Sequence, residues 1–170
     1  MQYNSTPNRA RFAAIVLLAA LTLPSSAAEL IGRVVSVSDG DTITVLDASK
    51  VQHRVRLTGI DAPESKQAFG SRSRESLADL VAGKQVQVQW EKRDRFDRVL
   101  GQVTTKDGTD ANLAQIERGM AWHFTRFSNT RPIQESRSYA AAQRSAQEQR
   151  IGLWRDKSPI APWDWRTANR

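Results

Sequence analysis

Apolar and polar residues alternate along the first half of the chain, beginning near Leu30. In LIGRVVSVSDGDTITVLDASKVQHRVRL, β-branched residues recur at every second position, which is the period of a half-buried strand. Two turn signals divide this stretch, one at Asp39-Gly40 and one at Asp47 to Lys50. The pattern therefore predicts three strands that follow one another as an antiparallel meander.

The period changes after the third strand. In SRSRESLADLVAGK, the residues Leu77, Leu80 and Val81 share one face of a helix, and Gly83 is placed to cap its end. The segments QVQVQWEK and RVLGQVTT alternate again. We therefore expect one helix and then a fourth and a fifth strand.

Two more helices are predicted in the second half of the chain. Asp110 is placed to cap a helix over Leu113, Ile116 and Met120, and a further helix is expected over about 133–149. Three strands, a helix, two strands and then helices is the order of a small closed barrel of the OB type. The expected fold class is therefore α+β and β-rich: a five-stranded OB-type barrel with about three packed helices.

The first segment of the chain is predicted to lie outside this fold. NRARFAAIVLLAALTLPSSAAE combines basic residues, an apolar run of twelve residues from Phe12 to Leu23, and small residues after Pro24, which is the pattern of a secretory signal. The run is shorter than the roughly 20 residues that a membrane-spanning helix needs. We expect a cleavable signal peptide over 1–28, and a retained anchor is the alternative. The mature protein would then be periplasmic or secreted, without stable membrane association.

The remaining 142 residues suit one domain, which we place over 29–154, with an extension over 155–170 packed on or near it. The chain has no cysteine, so the core must stabilise the domain without disulfides. The tail contains three tryptophans, Trp154, Trp163 and Trp165. We expect them to be buried against the barrel, and a surface strip that stacks on nucleic-acid bases is the alternative. The prolines of the tail favour an extended conformation.

The charge balance favours an anionic partner. The chain has 25 basic and 18 acidic residues, and removal of the segment 1–28 leaves 23 basic residues and a net charge of +5. Nucleic acid and an anionic membrane surface both fit this balance, and so does solubility alone. Charge by itself therefore does not select a function.

Charged residues concentrate where the predicted strands end. Asp41 opens the second strand, and RLTGIDAPE runs from Arg56 on the third strand to Asp61 and Glu64, on either side of Pro63. Because the strands belong to one meander, the two aspartates could meet at one end of the sheet. Two carboxylates in contact repel each other, and a hard divalent cation with oxygen ligands relieves that repulsion. Two solvated turn aspartates are the alternative, and spacing alone favours that interpretation.

A second cation is supplied by DRFDRVLGQV. Arg98 begins the fifth strand as Arg56 lies in the third, and two guanidinium groups can each make forked hydrogen bonds to phosphate oxygens. The alternative is a surface ion pair of Arg98 with Asp94 and Asp97. For an isolated strand arginine, the ion pair is the favoured interpretation.

These motifs together resemble those of the thermonuclease family, the calcium-dependent secreted nucleases of staphylococcal type. DGDTITV, followed after ten residues by RLTGIDAPE, is similar to the first family motif, and DRFDRVLG is similar to the second. The similarity continues through ANLAQIERGMAW and GLW, from about Val34 to Trp154. It implies an OB-type barrel with three helices, a Ca²⁺ cofactor and hydrolysis of phosphodiester bonds in DNA and RNA. We expect a monomer with little sugar specificity.

The resemblance also implies roles for individual residues. Asp41 and Asp61 match the carboxylates that bind calcium, and the backbone carbonyl of Ala62 matches a third ligand. Glu64 matches the residue that activates or orients the attacking water. The catalytic residues implied in this way are Arg56, Glu64 and Arg98, the two arginines matching the pair that clamps the phosphate and stabilises its transition state.

The departures from the family pattern concern the substrate. Phe96 stands where a tyrosine is usual, and Asp97 stands where a glycine is usual. Phenylalanines also replace the base-stacking tyrosines, and stacking survives the loss of the hydroxyl group. The candidate substrate-binding residues are Arg95, Phe96, Phe124 and Phe127.

The competing function is a nucleic-acid-binding OB module without turnover, because the fold supports both activities. Such modules usually have the metal carboxylates or the arginines replaced. Here all five side chains are present: Asp41, Asp61, Glu64, Arg56 and Arg98. The sequence therefore favours the enzyme.

Overall fold

A computed structural model of the chain describes residues 1–2, 28–126 and 132–170. The predicted signal peptide over 1–28 falls almost entirely outside the described residues and stays a prediction. Phe127 also lies outside them. Within the described ranges, no helix is both long enough and apolar enough to cross a membrane.

Five strands close into a barrel. The strands of the described chain are β1 Ala28–Val37, β2 Thr42–Asp47, β3 Gln52–Leu57, β4 Ile60–Asp61, β5 Gln85–Arg93, β6 Val99–Thr105 and β7 Trp122–His123. The barrel order is β1-β2-β3-β6-β5, and β5 pairs back with β1. Neighbouring strands are antiparallel except β3 and β6, which are parallel. The predicted meander and the five-stranded OB-type barrel are confirmed.

In the described ranges, four α-helices pack around this barrel. They are α1 Gly70–Val81, α2 Ala111–Glu117, α3 Ile133–Glu148 and α4 Pro162–Ala168, with a 3-10 helix over Gly152–Arg155 between the last two. The three predicted helices are confirmed, and Asp110 caps α2 as expected. The second helix ends before Met120, because the backbone turns at Gly119 with φ of 62°.

The expectation of an extended tail is wrong for α4. Pro162 occupies the first turn of this helix, where its missing N–H is not needed and its fixed φ is already helical. The tail packs against the domain through Trp163, whose ring centroid lies 5.7 Å from that of Trp122 and 5.6 Å from that of Phe124. Trp154 is buried.

The interior of the barrel is filled by β-branched side chains at alternate strand positions. Val45, Val55, Val88, Val99 and Val103 are all fully buried. The intervening residues of β3 and β6 therefore lie on the outer face of the barrel. Polar side chains from two neighbouring strands can meet there without entering the core.

A buried polar network fixes the turn between β1 and β2. Gln115 of α2 donates from Nε2 to the carbonyl of Gly40 at 2.8 Å and to that of Ser73 at 3.1 Å. Its Oε1 accepts from Ser76 Oγ at 2.7 Å. Because these buried groups satisfy one another, the turn that precedes Asp41 is held against both α1 and α2.

Candidate active site

Asp41 reaches the site because of the glycine before it. Gly40 passes so close to α1 that a Cβ atom would lie 1.8 Å from Ser73 Oγ. Asp39 closes the turn by accepting from the amide of Asp41 at 3.0 Å, and the carbonyl of Asp41 accepts from the amide of Leu57 at 2.8 Å. Each residue of Asp-Gly-Asp therefore has its own role: Asp39 closes the turn, Gly40 allows close contact with α1, and Asp41 belongs to the site.

One guanidinium group lies between the two aspartates. Arg56 places Nη1 at 2.7 Å from Asp41 Oδ2 and Nη2 at 2.8 Å from Asp61 Oδ1. Asp41 Oδ2 also accepts from the amide of Ala62 at 2.7 Å. Asp41 is 5% exposed and Asp61 is 1% exposed. The structure therefore brings the two carboxylates together, and the interpretation as solvated turn aspartates is wrong.

Burial disfavours the ionised form of Asp41. Burial raises the pKa of Asp41 to about 8, although the guanidinium of Arg56 acts in the opposite direction. The carboxylates of Asp39 and Asp61 raise this pKa further, whereas the amide of Ala62 lowers it. Additional positive charge would therefore stabilise the ionised form of Asp41.

Glu64 is held by its backbone at the start of the loop before α1. Its amide donates to Gln67 Oε1 at 3.1 Å, and its carbonyl accepts from the amide of Gln67 at 2.8 Å. The carbonyl also packs against Gly70, where a Cβ atom would lie only 2.0 Å away. The side chain of Glu64 is 37% exposed, so its carboxylate can reach a water molecule or a substrate.

Gln67 was missed by the sequence analysis. Besides its two bonds to Glu64, it donates from Nε2 to the carbonyl of Ile160 at 2.7 Å. It therefore connects the Glu64 loop to the C-terminal tail. No local pattern signals this role, because the two partners are 93 positions apart.

Arg166 of α4 joins the same carboxylates and was also missed as a site residue. Its Nη2 lies 2.7 Å from Asp61 Oδ2, and its Nη1 donates to Asp61 Oδ1 at 3.2 Å and to Glu64 Oε1 at 2.7 Å. The hydrogen bonds to Asp61 raise the pKa of Arg166 above its ordinary value. The surplus of carboxylates around Arg56 was the signal in the sequence that could have suggested a further cation.

Arg98 lies on the same outer face of the barrel as Arg56. Val55 pairs with Val99, so the backbone of Arg98 lies beside that of Arg54. Arg56 follows Arg54 by two positions, which places the Cα atoms of Arg56 and Arg98 roughly 8 Å apart by strand geometry. Arg98 nevertheless has its own carboxylate partner. Its Nε donates to Asp94 Oδ2 at 2.8 Å, and its Nη2 lies 2.7 Å from the same oxygen. The ion pair with Asp94 is confirmed.

Asp94 also organises the loop that carries Arg98. Its Oδ1 accepts from the amides of Phe96 and Arg98 at 2.9 and 3.0 Å. Burial acts to raise the pKa of Asp94, but the hydrogen bonds from Arg98 and Phe96 outweigh burial and lower it below the usual value. Asp97 pairs with Arg93 at 3.2 Å, so the alternative pairing of Asp97 with Arg98 is wrong.

The exposed surface beside Arg98 combines an aromatic ring with two cations. Phe96 is 59% exposed, and the guanidinium carbons of Arg95 and Arg98 lie 4.7 and 5.5 Å from its ring centroid. Phe124 is half-buried after β7, and the pairing of β7 with β4 brings it to the Asp61 side of the molecule. Its amide donates to the carbonyl of Gly59 at 2.8 Å.

The donor groups fit calcium by their chemistry. Asp41, Asp61 and the carbonyl of Ala62 offer hard oxygen ligands, which calcium prefers, and calcium readily adds backbone carbonyls and water to carboxylates. In the part of the chain that the structure describes, no cluster of three or more His, Cys, Asp or Glu side chains is arranged to hold a metal. A calcium ion here would therefore depend on the backbone carbonyl and on water for its remaining ligands.

The chain is similar to known nucleases. Residues 54–156 match the family described as staphylococcal nuclease homologue. An uncharacterized endonuclease of Escherichia coli is 44% identical over 143 residues, which cover 84% of this chain and 89% of the relative. A micrococcal nuclease of Shigella flexneri is 39% identical over 170 residues, which cover 95% of this chain and 93% of the relative. Arg166 lies beyond the segment that the family match covers.

Proposed function

The chain belongs to the staphylococcal nuclease family, and we propose that it is an exported, calcium-dependent nuclease that hydrolyses phosphodiester bonds of DNA and RNA with little sugar specificity. One observation carries the proposal: the guanidinium of Arg56 lies between two buried carboxylates, Asp41 and Asp61, at a strand end. The guanidinium that could bind a phosphate is thus adjacent to the carboxylate oxygens that could bind a cation. We also propose that the protein acts as a monomer.

The metal-binding part of the site would consist of Asp41, Asp61 and the backbone carbonyl of Ala62. A bound calcium ion would neutralise charge on the phosphodiester and on the attacking oxygen. The two carboxylates are buried, so they would present their oxygens in fixed directions.

Glu64 is the proposed general base. Its backbone is fixed by Gln67 at both the amide and the carbonyl, while its carboxylate remains partly exposed. Such a group can take a proton from a water molecule that attacks the phosphorus. General-base assistance of this kind typically accelerates a reaction by about 10²–10⁴.

Arg56 and Arg98 are the proposed phosphate clamp. The phosphodiester gains negative charge as the attacking water adds, and donors placed in advance around that charge stabilise the transition state. Asp94 holds the Nε–Nη2 edge of Arg98. Because a guanidinium is planar and has two hydrogen-bonding edges, this pair orients Arg98 while the other edge can face a phosphate.

The nucleotide on either side of the cleaved bond is proposed to contact aromatic and basic side chains. Base stacking on an aromatic ring contributes about 1–3 kcal/mol and tolerates any base, which suits a nuclease of low sequence specificity. Phe96, with two guanidinium groups over its ring, has the required exposure. The proposed substrate-binding residues are Arg95, Phe96, Phe124 and Phe127.

A digest tests the proposal. Plasmid DNA and a folded RNA are incubated with the mature protein in calcium, in magnesium and in a chelator. We expect cleavage of both nucleic acids in calcium and none in the chelator. Glu64→Gln protein, purified in parallel, controls for a contaminating nuclease. Binding of nucleic acid without cleavage under every condition would establish the non-catalytic OB module instead.

A further inference from the structure

Arg166 occupies the oxygen atoms that a calcium ion would need. Asp61 Oδ2 accepts from Arg166, and Asp61 Oδ1 accepts from both Arg166 and Arg56. Asp61 is 1% exposed. Both oxygens of this carboxylate are therefore hydrogen-bonded to guanidinium groups and shielded from water.

A guanidinium and a divalent cation compete at such a carboxylate. Both are positively charged, so they repel each other at short distance, and they use the same oxygen lone pairs. Arg166 also bridges to Glu64 Oε1 at 2.7 Å, so it joins the candidate metal ligand to the candidate base. Its removal would free Asp61 Oδ2 and Glu64 Oε1 together, while Asp61 Oδ1 would keep its hydrogen bond from Arg56.

The tail allows Arg166 to leave without unfolding. The helix is anchored by the hydrogen bond from Gln67 to Ile160, by the buried Pro162 and by Trp163 against Trp122. None of these contacts involves the Arg166 side chain, which is 40% exposed. Rotation about its own side-chain bonds is therefore sufficient to move the guanidinium into solvent.

We propose that Arg166 is a tethered cation that occupies the carboxylate of Asp61, one of the candidate calcium ligands, until calcium displaces it, so that the C-terminal helix sets the calcium affinity of the site. This inference rests on the proposed function, because it takes Asp61 as a calcium ligand. Tethering keeps the local concentration of the competing guanidinium high at every protein concentration. The extension thereby raises the calcium level at which the enzyme becomes active.

Calorimetric titration of the mature protein with calcium tests the proposal. If Arg166 blocks the site in nine-tenths or more of the metal-free molecules, Arg166→Ala should bind calcium about ten- to a hundredfold more tightly than the unmodified protein. Arg170→Ala is the matched control, since it removes the same charge from the exposed end of the same tail. We expect it to change the affinity by less than about twofold, because it lies at the solvated surface.

Arg166→Lys distinguishes competition for the oxygens of Asp61 from a general effect of positive charge near the site. Lysine keeps the positive charge but cannot make the forked contact to Asp61 and reach Glu64 at the same time. We expect it to bind calcium more tightly than the unmodified protein and less tightly than Arg166→Ala. An unchanged or weaker calcium affinity in both variants would overturn the proposal. If no variant binds calcium, the calcium assignment in the proposed function is wrong as well, whereas equal binding by all variants overturns only the role of Arg166.

Thermal unfolding supplies a readout that is independent of activity. In a chelator, Arg166→Ala should unfold at a lower temperature than the unmodified protein, because Asp61 loses two hydrogen bonds. In saturating calcium the difference should disappear, because calcium then displaces Arg166 from Asp61 in the unmodified protein, and the variant has no arginine at this position to lose. An equal loss of stability with and without calcium would show that Arg166 stays on Asp61 in the calcium-bound state, and would overturn the proposal. Should Arg166→Ala not fold, the titration of Arg166→Lys decides.

Discussion

Two regions of the described chain that contain arginine–carboxylate pairs are built in different ways. At the end of β3 and β4, Arg56 lies between Asp41 and Asp61, and Arg166 reaches Asp61 from 105 positions away. In the loop before β6, the pairs are local. Arg98 pairs with Asp94 and Arg93 pairs with Asp97, each four positions apart.

The difference in construction implies a difference in energetics. Removing one partner from a buried ion pair typically costs about 3–5 kcal/mol, because a charge is left without compensation. The loop pairs are less buried: the side chains of Arg98 and Asp94 are 23% and 17% exposed, and that of Asp97 is 85% exposed. A fully exposed pair contributes only about 0–1 kcal/mol. We therefore expect changes at the strand end to affect both stability and chemistry, and changes in the loop to affect the position of Arg98 with little effect on stability.

The largest effect is expected at Glu64. Glu64→Gln removes the proposed base while it keeps the size of the side chain, so single-turnover cleavage should fall by about 10²–10⁴. Binding of an oligonucleotide in a chelator should remain. The matched control is Glu75→Gln on the exposed surface of α1, which should cleave normally. Near-normal cleavage by Glu64→Gln would contradict the assignment.

The two arginines provide the most direct test of the comparison. Arg56→Lys and Arg98→Lys should each slow cleavage by about 10²–10³, because lysine cannot make the forked contact to a phosphate. Only Arg56→Lys should lower the free energy of unfolding, by about 1–3 kcal/mol, since one buried carboxylate loses its partner. Single-turnover rates and urea unfolding measure the two effects. Equal stability of the two variants would remove the distinction between the regions.

A smaller effect is expected when Asp94 is neutralised. The folded-state pKa of Asp94 lies below its ordinary value of 3.8, so its contribution to stability is present above that value and is lost as the pH falls through the folded-state pKa. Asp94→Asn should therefore be less stable than the unmodified protein at neutral pH, by about 1 kcal/mol or less. The difference should shrink as the pH falls below about 4. Urea unfolding at several pH values measures it, and a pH-independent difference would exclude the carboxylate as its cause.

The smallest effect is expected at Asp97. Its φ is 60°, a left-handed conformation that glycine adopts without strain, so Asp97→Gly relieves strain while it removes an exposed ion pair with Arg93. These effects oppose each other. The cleavage rate should change by less than about tenfold, or roughly 1.4 kcal/mol in barrier. Kinetics across calcium concentrations provide the measurement. A much larger loss would place Asp97 in the mechanism, and a gain would show that it restrains Arg98.

The parts of the fold and site that the sequence predicted are those with local signals. Period-two alternation and two turns specify the meander, and Arg56, Asp61 and Glu64 lie within nine residues of one another on one strand end. The pairing of Asp94 with Arg98 was also predictable, because the two residues are only four positions apart.

The parts that could not be predicted depend on contacts between distant segments. Gln67 and Arg166 act through hydrogen bonds that span 93 and 105 positions, and neither periodicity nor a motif encodes such a distance. In the tail, proline is compatible with two structures, an extended chain and the first turn of a helix. Proline was interpreted as a sign of extended chain, whereas Pro162 begins a helix. In the structure, the helix that follows Pro162 packs through Trp163 against Trp122.

The parallel pairing of β3 with β6 has a consequence for the order of folding. Arg56 lies on β3 and Arg98 directly precedes β6, and the paired residues Leu57 and Gly101 of these strands are far apart in the sequence. Closing so long a loop is slow compared with forming the meander. A chain that has folded its meander but has not closed the barrel holds Arg56 without its second arginine. Recovery of cleavage during refolding should therefore follow the pairing of β3 with β6. The return of activity would then report the closure of the barrel.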